Sequence, residues 1–384
     1  MTRDPVATAR ELQTLVREAA DEAERECRLP AHVAEAMAKA GLYRVGAPRT
    51  QGGGEHDPMT QIAVIEAIAE ADGSAAWNLM VGIESFGLLT LGFRNNRELF
   101  ADPLTVLCGS TAALGVAEVV DGGYRLTGRW QFASGCHNSH WFYGLSVVHE
   151  NGAPKADEPP RFMLVPRAEF EIVENWKVGG LRGSGSHDVQ VESVFVPEAR
   201  VATFMAPGSE IAEDAPIVRF PRGSRLAYNK VGIGLGIARA AIDDFVEIAT
   251  GKIPRFSSST LRERPLAQRA VAAAEARLRG ARAFVMEAVG EVWDEVVAGK
   301  EPSARQRALL QIACSDAARA SAEAVDLVAE AAGTTANDLE SPLERRARDV
   351  RVVRQHMTVA PHHLEDAGRV LLGLSPEGLM LSLV

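Results

Sequence analysis

The hydrophobic period of this chain changes twice, and that order constrains the fold more than any single motif. Apolar residues recur at helical spacing up to about residue 104. They recur at strand spacing from about 105 to 215, then at helical spacing again to the end. Strands gathered in one block cannot alternate with helices as a doubly wound sheet requires. The pattern therefore predicts an α+β chain, mainly α, with the sheet as a layer of its own. We expect an N-terminal helical domain over 1–104, a middle antiparallel β-domain over 105–215 and a C-terminal four-helix bundle over 216–384.

The residues behind each expectation are specific. Leu12, Leu15, Val16, Ala19 and Ala23 share one helical face, Val33, Met37 and Ala40 another, and Gly41 ends the second helix. Residues 77–91 are apolar almost all round, which predicts a buried helix. Asp121-Gly122-Gly123 reads as a hairpin turn between two β-type runs. Residues 142–148, 162–165, 170–173 and 189–196 read as further strands. Leu278, Ala281, Val285, Val289, Val292 and Val296 make one late stripe, and Leu309, Ile312, Ala313, Ala320, Ala324, Leu327 and Val328 another. With 231–248 and 345–372 they give about four long helices, which favour an antiparallel bundle.

Composition narrows the function classes. Of 384 residues, 46% are hydrophobic and 24% charged, the balance of a globular protein. A net charge of −10 argues against a nucleic-acid or anionic-membrane partner, both of which need a basic face. No run of about 18 apolar residues suggests a membrane span. Cys27, Cys108, Cys136 and Cys314 are scattered without CxxC spacing, and no apolar signal segment follows Met1. Free thiols in the cytoplasm are expected, with no metal site.

Several motifs have plain readings. Gly232-Ile233-Gly234-Leu235-Gly236 lacks the dinucleotide-loop spacing and follows no strand, so its glycines serve close helix packing. Cys136-His137-Asn138-Ser139-His140 has no second cluster at zinc spacing. His362 and His363 are adjacent and point about 100° apart on a helix. Gly183-Ser184-Gly185-Ser186 is a loop able to expose backbone N–H groups, and it lacks the nucleophile-elbow order.

Three stretches, in correct order, resemble the acyl-CoA dehydrogenase superfamily over nearly the whole chain. Thr127-Gly128-Arg129-Trp130-Gln131-Phe132-Ala133-Ser134-Gly135 resembles its flavin-binding strand and turn. Residues 176–189 with Val194-Phe195-Val196-Pro197 resemble its second β-domain signature. Pro342-Leu343-Glu344-Arg345-Arg346-Ala347-Arg348-Asp349 resembles its segment before the helix that closes the active site. Many dehydrogenases then carry Tyr-Glu-Gly-Thr, whose Glu removes the α-proton. Here the matching stretch is Gln355-His356-Met357-Thr358, with His356 in the place of the carboxylate. Arg262-Glu263-Arg264-Pro265-Leu266 replaces the family's Arg-x-x-Phe-Gly flavin contact.

These departures, with the Phe132–Gly135 turn, resemble the two-component flavin-dependent monooxygenases related to p-hydroxyphenylacetate and secosteroid hydroxylases. The resemblance implies reduced FMN or FAD delivered by a separate flavin reductase. It also implies O2 as co-substrate, a flavin C4a-hydroperoxide, transfer of one oxygen atom to a small organic molecule, and a homotetramer. Aromatic or polyketide-type hydroxylation is favoured over N- or S-oxygenation. By the same resemblance His356 and Ser134 are catalytic, and Trp130, Phe132, Ser134, Ser184 and Arg264 hold the flavin. Glu84 and Ser85 face the substrate, Ser85 standing where several aromatic hydroxylases carry a second His. His137 and His140 are alternative bases. The rival readings are an acyl-CoA dehydrogenase or oxidase with its base elsewhere, and a non-catalytic binding member of the fold.

Overall fold

The structure, a computed structural model, describes residues 4–93, 96–203 and 215–382. The end of the expected middle domain, 204–214, lies outside the described residues. Among the described residues six α-helices come first: α1 (Pro5–Glu11), α2 (Gln13–Glu26), α3 (Ala31–Lys39), α4 (Pro58–Ala71), α5 (Gly73–Glu84) and α6 (Arg97–Ala101). Asp57 starts α4 by accepting the Thr60 N–H at 2.8 Å, with Pro58 at the first helical position. Asp72 starts α5 in the same way, on Ala75 N–H at 2.7 Å. α5 then runs into a π-helical turn, Ser85–Leu89, a widening of the helix that concentrates at functional sites.

Among the described residues one eight-stranded sheet follows: β1 (Leu107–Val120), β2 (Gly123–Trp130), β3 (Trp141–Glu150), β4 (Ala153–Pro154), β5 (Arg161–Pro166), β6 (Glu171–Val173), β7 (Asp188–Pro197) and β8 (Val201–Thr203). Its order is β6-β7-β2-β1-β3-β5-β8, with β4 on β3. The β1–β2 hairpin turns at Asp121-Gly122, where Gly122 has φ +77°. The sheet is mixed, not purely antiparallel, because β3 pairs with β1 in parallel. The outer edge of β2 is taken by β7, so the chain leaving β2 returns on the far side of β1.

Alternation along β3 and β5 gives the sheet two buried faces. Trp141, Tyr143, Leu145, Phe162 and Leu164 join the core of the helices. Phe142, Val148, Met163 and Val165 join Leu126, Trp130 and Val189 in a core within the β-layer.

The last part contains α7 (Arg222–Gly251), α8 (Pro265–Val297), α9 (Ala304–Ala332), α10 (Pro342–Arg354), α11 (His363–Leu371) and α12 (Leu379–Ser382). The glycine run lies inside α7. A Cβ on Gly232 or Gly236 would overlap the carbonyl oxygens of Ile62 and Glu66 on α4, so these two positions need glycine for close approach. The first helices and the last ones therefore share one continuous core.

The segment 345–372, expected as one helix, breaks between α10 and α11. α10 ends at Arg354, and Pro361, which has no N–H and restricts the residue before it, keeps the helix from resuming until His363. Side chains take over the freed carbonyls. Gln311 Nε2 donates to Thr358 O at 2.9 Å, and His363 Nε2 donates to Met357 O at 2.6 Å. Among the described residues no helix is long and apolar enough to cross a membrane.

Candidate active site

The break between α10 and α11 carries His356 toward α5. Its ring lies edge-on to Trp77, with centroids 5.3 Å apart. Its Nδ1 accepts from the Thr358 hydroxyl at 3.0 Å and, more weakly, from the Thr358 N–H at 3.4 Å. These partners assign the proton to Nε2, which makes no hydrogen bond among the described residues. Burial, reinforced by the charge of Lys230, pushes the ring down to about pKa 3. His356 is thus a neutral imidazole presenting one N–H.

Trp77 also links His356 to the turn after β2. Its indole Nε1–H donates to Ser134 Oγ at 3.1 Å. Ser134 Oγ is 2.6 Å from Ser186 Oγ, which is 2.8 Å from Ser184 Oγ. All three hydroxyls are buried. The turn itself is pinned, with Ala133 N–H on His187 O at 2.9 Å and Gly135 N–H on Ser184 O at 3.0 Å. Gly135 has φ +76° and would strike Asn78 Oδ1 with a Cβ. Phe132 also has positive φ, +61°, unusual for a bulky residue and a sign of stored strain. It is 67% exposed and meets Trp176 edge-on at 6.0 Å.

A buried ion pair closes the other side. Lys230 on α7 donates to Glu84 at the end of α5, with almost no solvent contact. Burial pushes the Glu84 carboxyl up and the Lys230 ammonium down, and each partner opposes the other's shift. Asn229, 0% exposed, lies beside Glu84, yet neither amide atom completes a hydrogen bond. Ser85 Oγ donates to Val81 O at 2.6 Å and lies 3.0 Å from Tyr143 Oη, so its bonding is already taken.

The loop 176–188 is held from three sides. His187 Nδ1 accepts from Asn175 and Trp176 N–H at 3.0 and 3.1 Å, and Nε2 donates to Cys27 O at 3.2 Å. Arg348 donates to Gly179 O at 2.5 Å. Asp349 accepts the Leu181 N–H at 2.6 Å, where Leu181 has φ +51°. Burial, then the neighbouring Asp72, pushes the Asp349 carboxyl up to about 7.

That raised value has a measurable consequence. Between about pH 4 and 7 the folded state binds the Asp349 proton that the unfolded chain has released. Stability from this group is present at low pH and lost as pH rises through about 7, on the order of 4 kcal/mol in all. In Asp349→Asn that slope should vanish. Thermal melts between pH 5 and 8 should show the variant losing less stability than the wild type.

The structure brings His356, Ser134 and Glu84 around Trp77 and Lys230, with Ser184 two hydroxyls along from Ser134, beyond Ser186. Other expected residues fall elsewhere. Trp130 does not join this cluster. It is 0% exposed inside the β-layer, donating to Leu145 O at 2.9 Å, because strand alternation turns it inward. Arg264 ends the turn before α8 and shares no hydrogen bond or ion pair with the cluster among the described residues.

His140 Nδ1 accepts from Val106 N–H at 3.0 Å, and His137 Nε2 is 3.0 Å from Glu174. Neither shares a hydrogen bond with Trp77 or Ser134 among the described residues. His137, Glu174 and His187 approach metal-ligand spacing, but both His187 nitrogens are committed, leaving at most two ligands. Sequence reasoning missed Trp77 as the bridge, along with Ser186, Asn229 and Lys230. Asn229-Lys230 carried a signal, two polar residues in an otherwise apolar and glycine-rich helix face.

The donor set suits a flavin. Exposed Phe132 against half-buried Trp176 offers an apolar wall. The hydroxyl row offers one proton more than its internal bonds use.

The chain matches "Acyl-CoA dehydrogenase, N-terminal domain" over residues 4–100 and "Acyl-CoA dehydrogenase, C-terminal domain" over 230–361. It is 36% identical over 356 residues to indole-3-acetate monooxygenase of Pseudomonas putida, covering 92% of this chain and 90% of that one. It is 30% identical over 386 aligned positions to the FADH(2)-dependent resorcinol hydroxylase, oxygenase component, of a Rhizobium, covering 95% and 93%. The crystal structure of 3-HSA hydroxylase from Rhodococcus sp. RHA1 superposes with a TM-score of 0.88 at 28% identity, covering 98% and 99%. An oxygenase component implies a separate reductase and a small-molecule substrate. The chain is an oxidoreductase that belongs to the flavin-dependent monooxygenases built on the acyl-CoA dehydrogenase fold.

Proposed function

We propose that this chain hydroxylates a small aromatic molecule bearing a ring N–H or hydroxyl, using reduced FMN or FAD from a separate reductase. The observation that carries this reading is the neutral His356, its Nε2–H open beside the Trp77–Ser134 bridge. Reduced flavin, when bound, would supply the two electrons that activate O2, and O2 itself would supply the transferred oxygen atom. Ser134 holds the flavin ring edge by hydrogen bonding, and Phe132 with Trp176 covers it from water. His356 donates its N–H to the reacting oxygen, because a ring with pKa near 3 is a poor base and a sound donor. Asn229 and Glu84 receive the polar group of the substrate, which would satisfy the unpaired amide. Indole-3-acetate, the substrate named for a relative, carries such a ring N–H.

The working form is a homotetramer in this reading. Leu371, Leu372, Leu374 and Leu379 are exposed along the C-terminal turns, and a second copy would cover them. Light scattering that reports a monomer contradicts this part. The function is tested by supplying enzymatically reduced FMN or FAD with indole-3-acetate or resorcinol in air. A hydroxylated product supports it. Anaerobic bleaching of bound FAD by an acyl-CoA, with no hydroxylated product, supports the dehydrogenase alternative instead.

A further inference from the structure

Ser184, Ser186 and Ser134 form an unbranched row of buried hydroxyls, 2.8 and 2.6 Å apart, ending where Trp77 Nε1–H meets Ser134. The row can be counted. Three hydroxyls carry three protons, and two internal bonds use two of them. Trp77 permanently occupies one lone pair of Ser134. Two arrangements remain. If the protons point from Ser184 through Ser186 to Ser134, both Ser134 lone pairs are filled and its own proton is left for a partner outside the row. If they point the other way, Ser134 donates to Ser186 and keeps one lone pair for that partner. Three hydroxyl rotations interconvert the two, with no covalent bond broken and no proton changing its owner.

We infer that this row is a reversible hydrogen-bond relay that lets Ser134 act as a donor to oxidised flavin and as an acceptor to reduced flavin. The inference rests on the function proposed above, which sets Ser134 against the flavin ring edge. A flavin ring nitrogen that accepts when oxidised carries N–H when reduced, so the partner it needs reverses with redox state. Ser186 is the positioning residue. Without its oxygen, Ser134 still satisfies oxidised flavin. Against reduced flavin, the Ser134 proton has no acceptor in a buried place. The backbone around the row is fixed independently of the hydroxyls, because Gly135 N–H and Asn78 Nδ2 both donate to Ser184 O.

The test is anaerobic equilibrium titration of wild type and Ser186→Ala with FMN and FAD, each oxidised and dithionite-reduced, followed by tryptophan fluorescence. Ser186→Ala should bind reduced flavin about tenfold more weakly and oxidised flavin within about twofold of wild type. A tenfold change in that ratio corresponds to about 30 mV in the two-electron midpoint potential of the bound flavin. Ser186→Thr, which keeps the hydroxyl, should restore the wild-type ratio. Equal weakening of both redox states, or no change in either, overturns the relay. If Ser186→Ala does not fold, Ser184→Ala removes the terminal acceptor. It must then show a smaller loss in the same direction, and absence of that loss overturns the relay as well. A wild type that binds neither redox state instead overturns the proposed function, so the two failures are distinguishable.

Discussion

Replacing Lys230 with Met is expected to destabilise the protein by about 3–5 kcal/mol, because it leaves the Glu84 carboxylate buried without its partner. Glu84→Gln should cost a similar amount by stranding the ammonium. The double variant Lys230→Met with Glu84→Leu should recover most of the loss, since apolar groups of similar volume need no partner. Urea unfolding of the four proteins at neutral pH checks this. A single variant within about 1 kcal/mol of wild type would mean that the pair is hydrated in solution. Lys230 also helps to hold His356 neutral, so the ring should titrate at higher pH in the Met variant. An NMR titration of His356 reads that shift separately from stability.

Replacing His356 with Ala is expected to lower product formation about 10²–10³-fold, the loss seen when one aimed donor is removed from a water-excluded site. Reduced flavin should still be oxidised, now releasing peroxide instead of product. Coupling, measured as product per O2 consumed, separates this from a failure to bind flavin. The pH dependence adds a check with a definite sign. The folded ring titrates near 3 and the unfolded ring near 6.5, so the unfolded chain binds more protons between those values. The wild type should therefore lose stability through this group as pH falls from about 6.5 toward 3. His356→Ala should lack that slope. An activity limb near pH 6.5 that disappears in the variant would contradict a neutral donor.

Much of the fold is legible in the sequence because local chemistry agrees with the final structure. Asp121-Gly122 requires a turn with positive φ, and the β1–β2 hairpin turns there. Gly232 and Gly236 sit on one face of a helix and mark close packing, and α7 meets α4 at those two residues. The parallel pairing of β1 with β3 is not legible, because it depends on β7 having taken the outer edge of β2, a contact remote in sequence. The break between α10 and α11 is hidden in the sequence by helical spacing on either side of it.

In the site, His356 and Ser134 stand out by resemblance, but the bridge between them does not. Trp77 lies in a run that reads only as a buried helix. Ser186 looks like any loop serine until its two neighbours are seen at hydrogen-bond distance. Trp130 misleads because Phe132 and Ser134 in the same motif lie outside the sheet core, whereas strand alternation turns Trp130 into it.

The most direct test of the central claim is isotopic. The protein, with reduced FMN or FAD supplied by a separate reductase, is given indole-3-acetate under 18O2 in unlabelled water. The account predicts a product that carries one labelled oxygen atom, and loss of that product when the reductase is omitted. A product whose new oxygen is unlabelled would contradict it, as would product formed without reduced flavin.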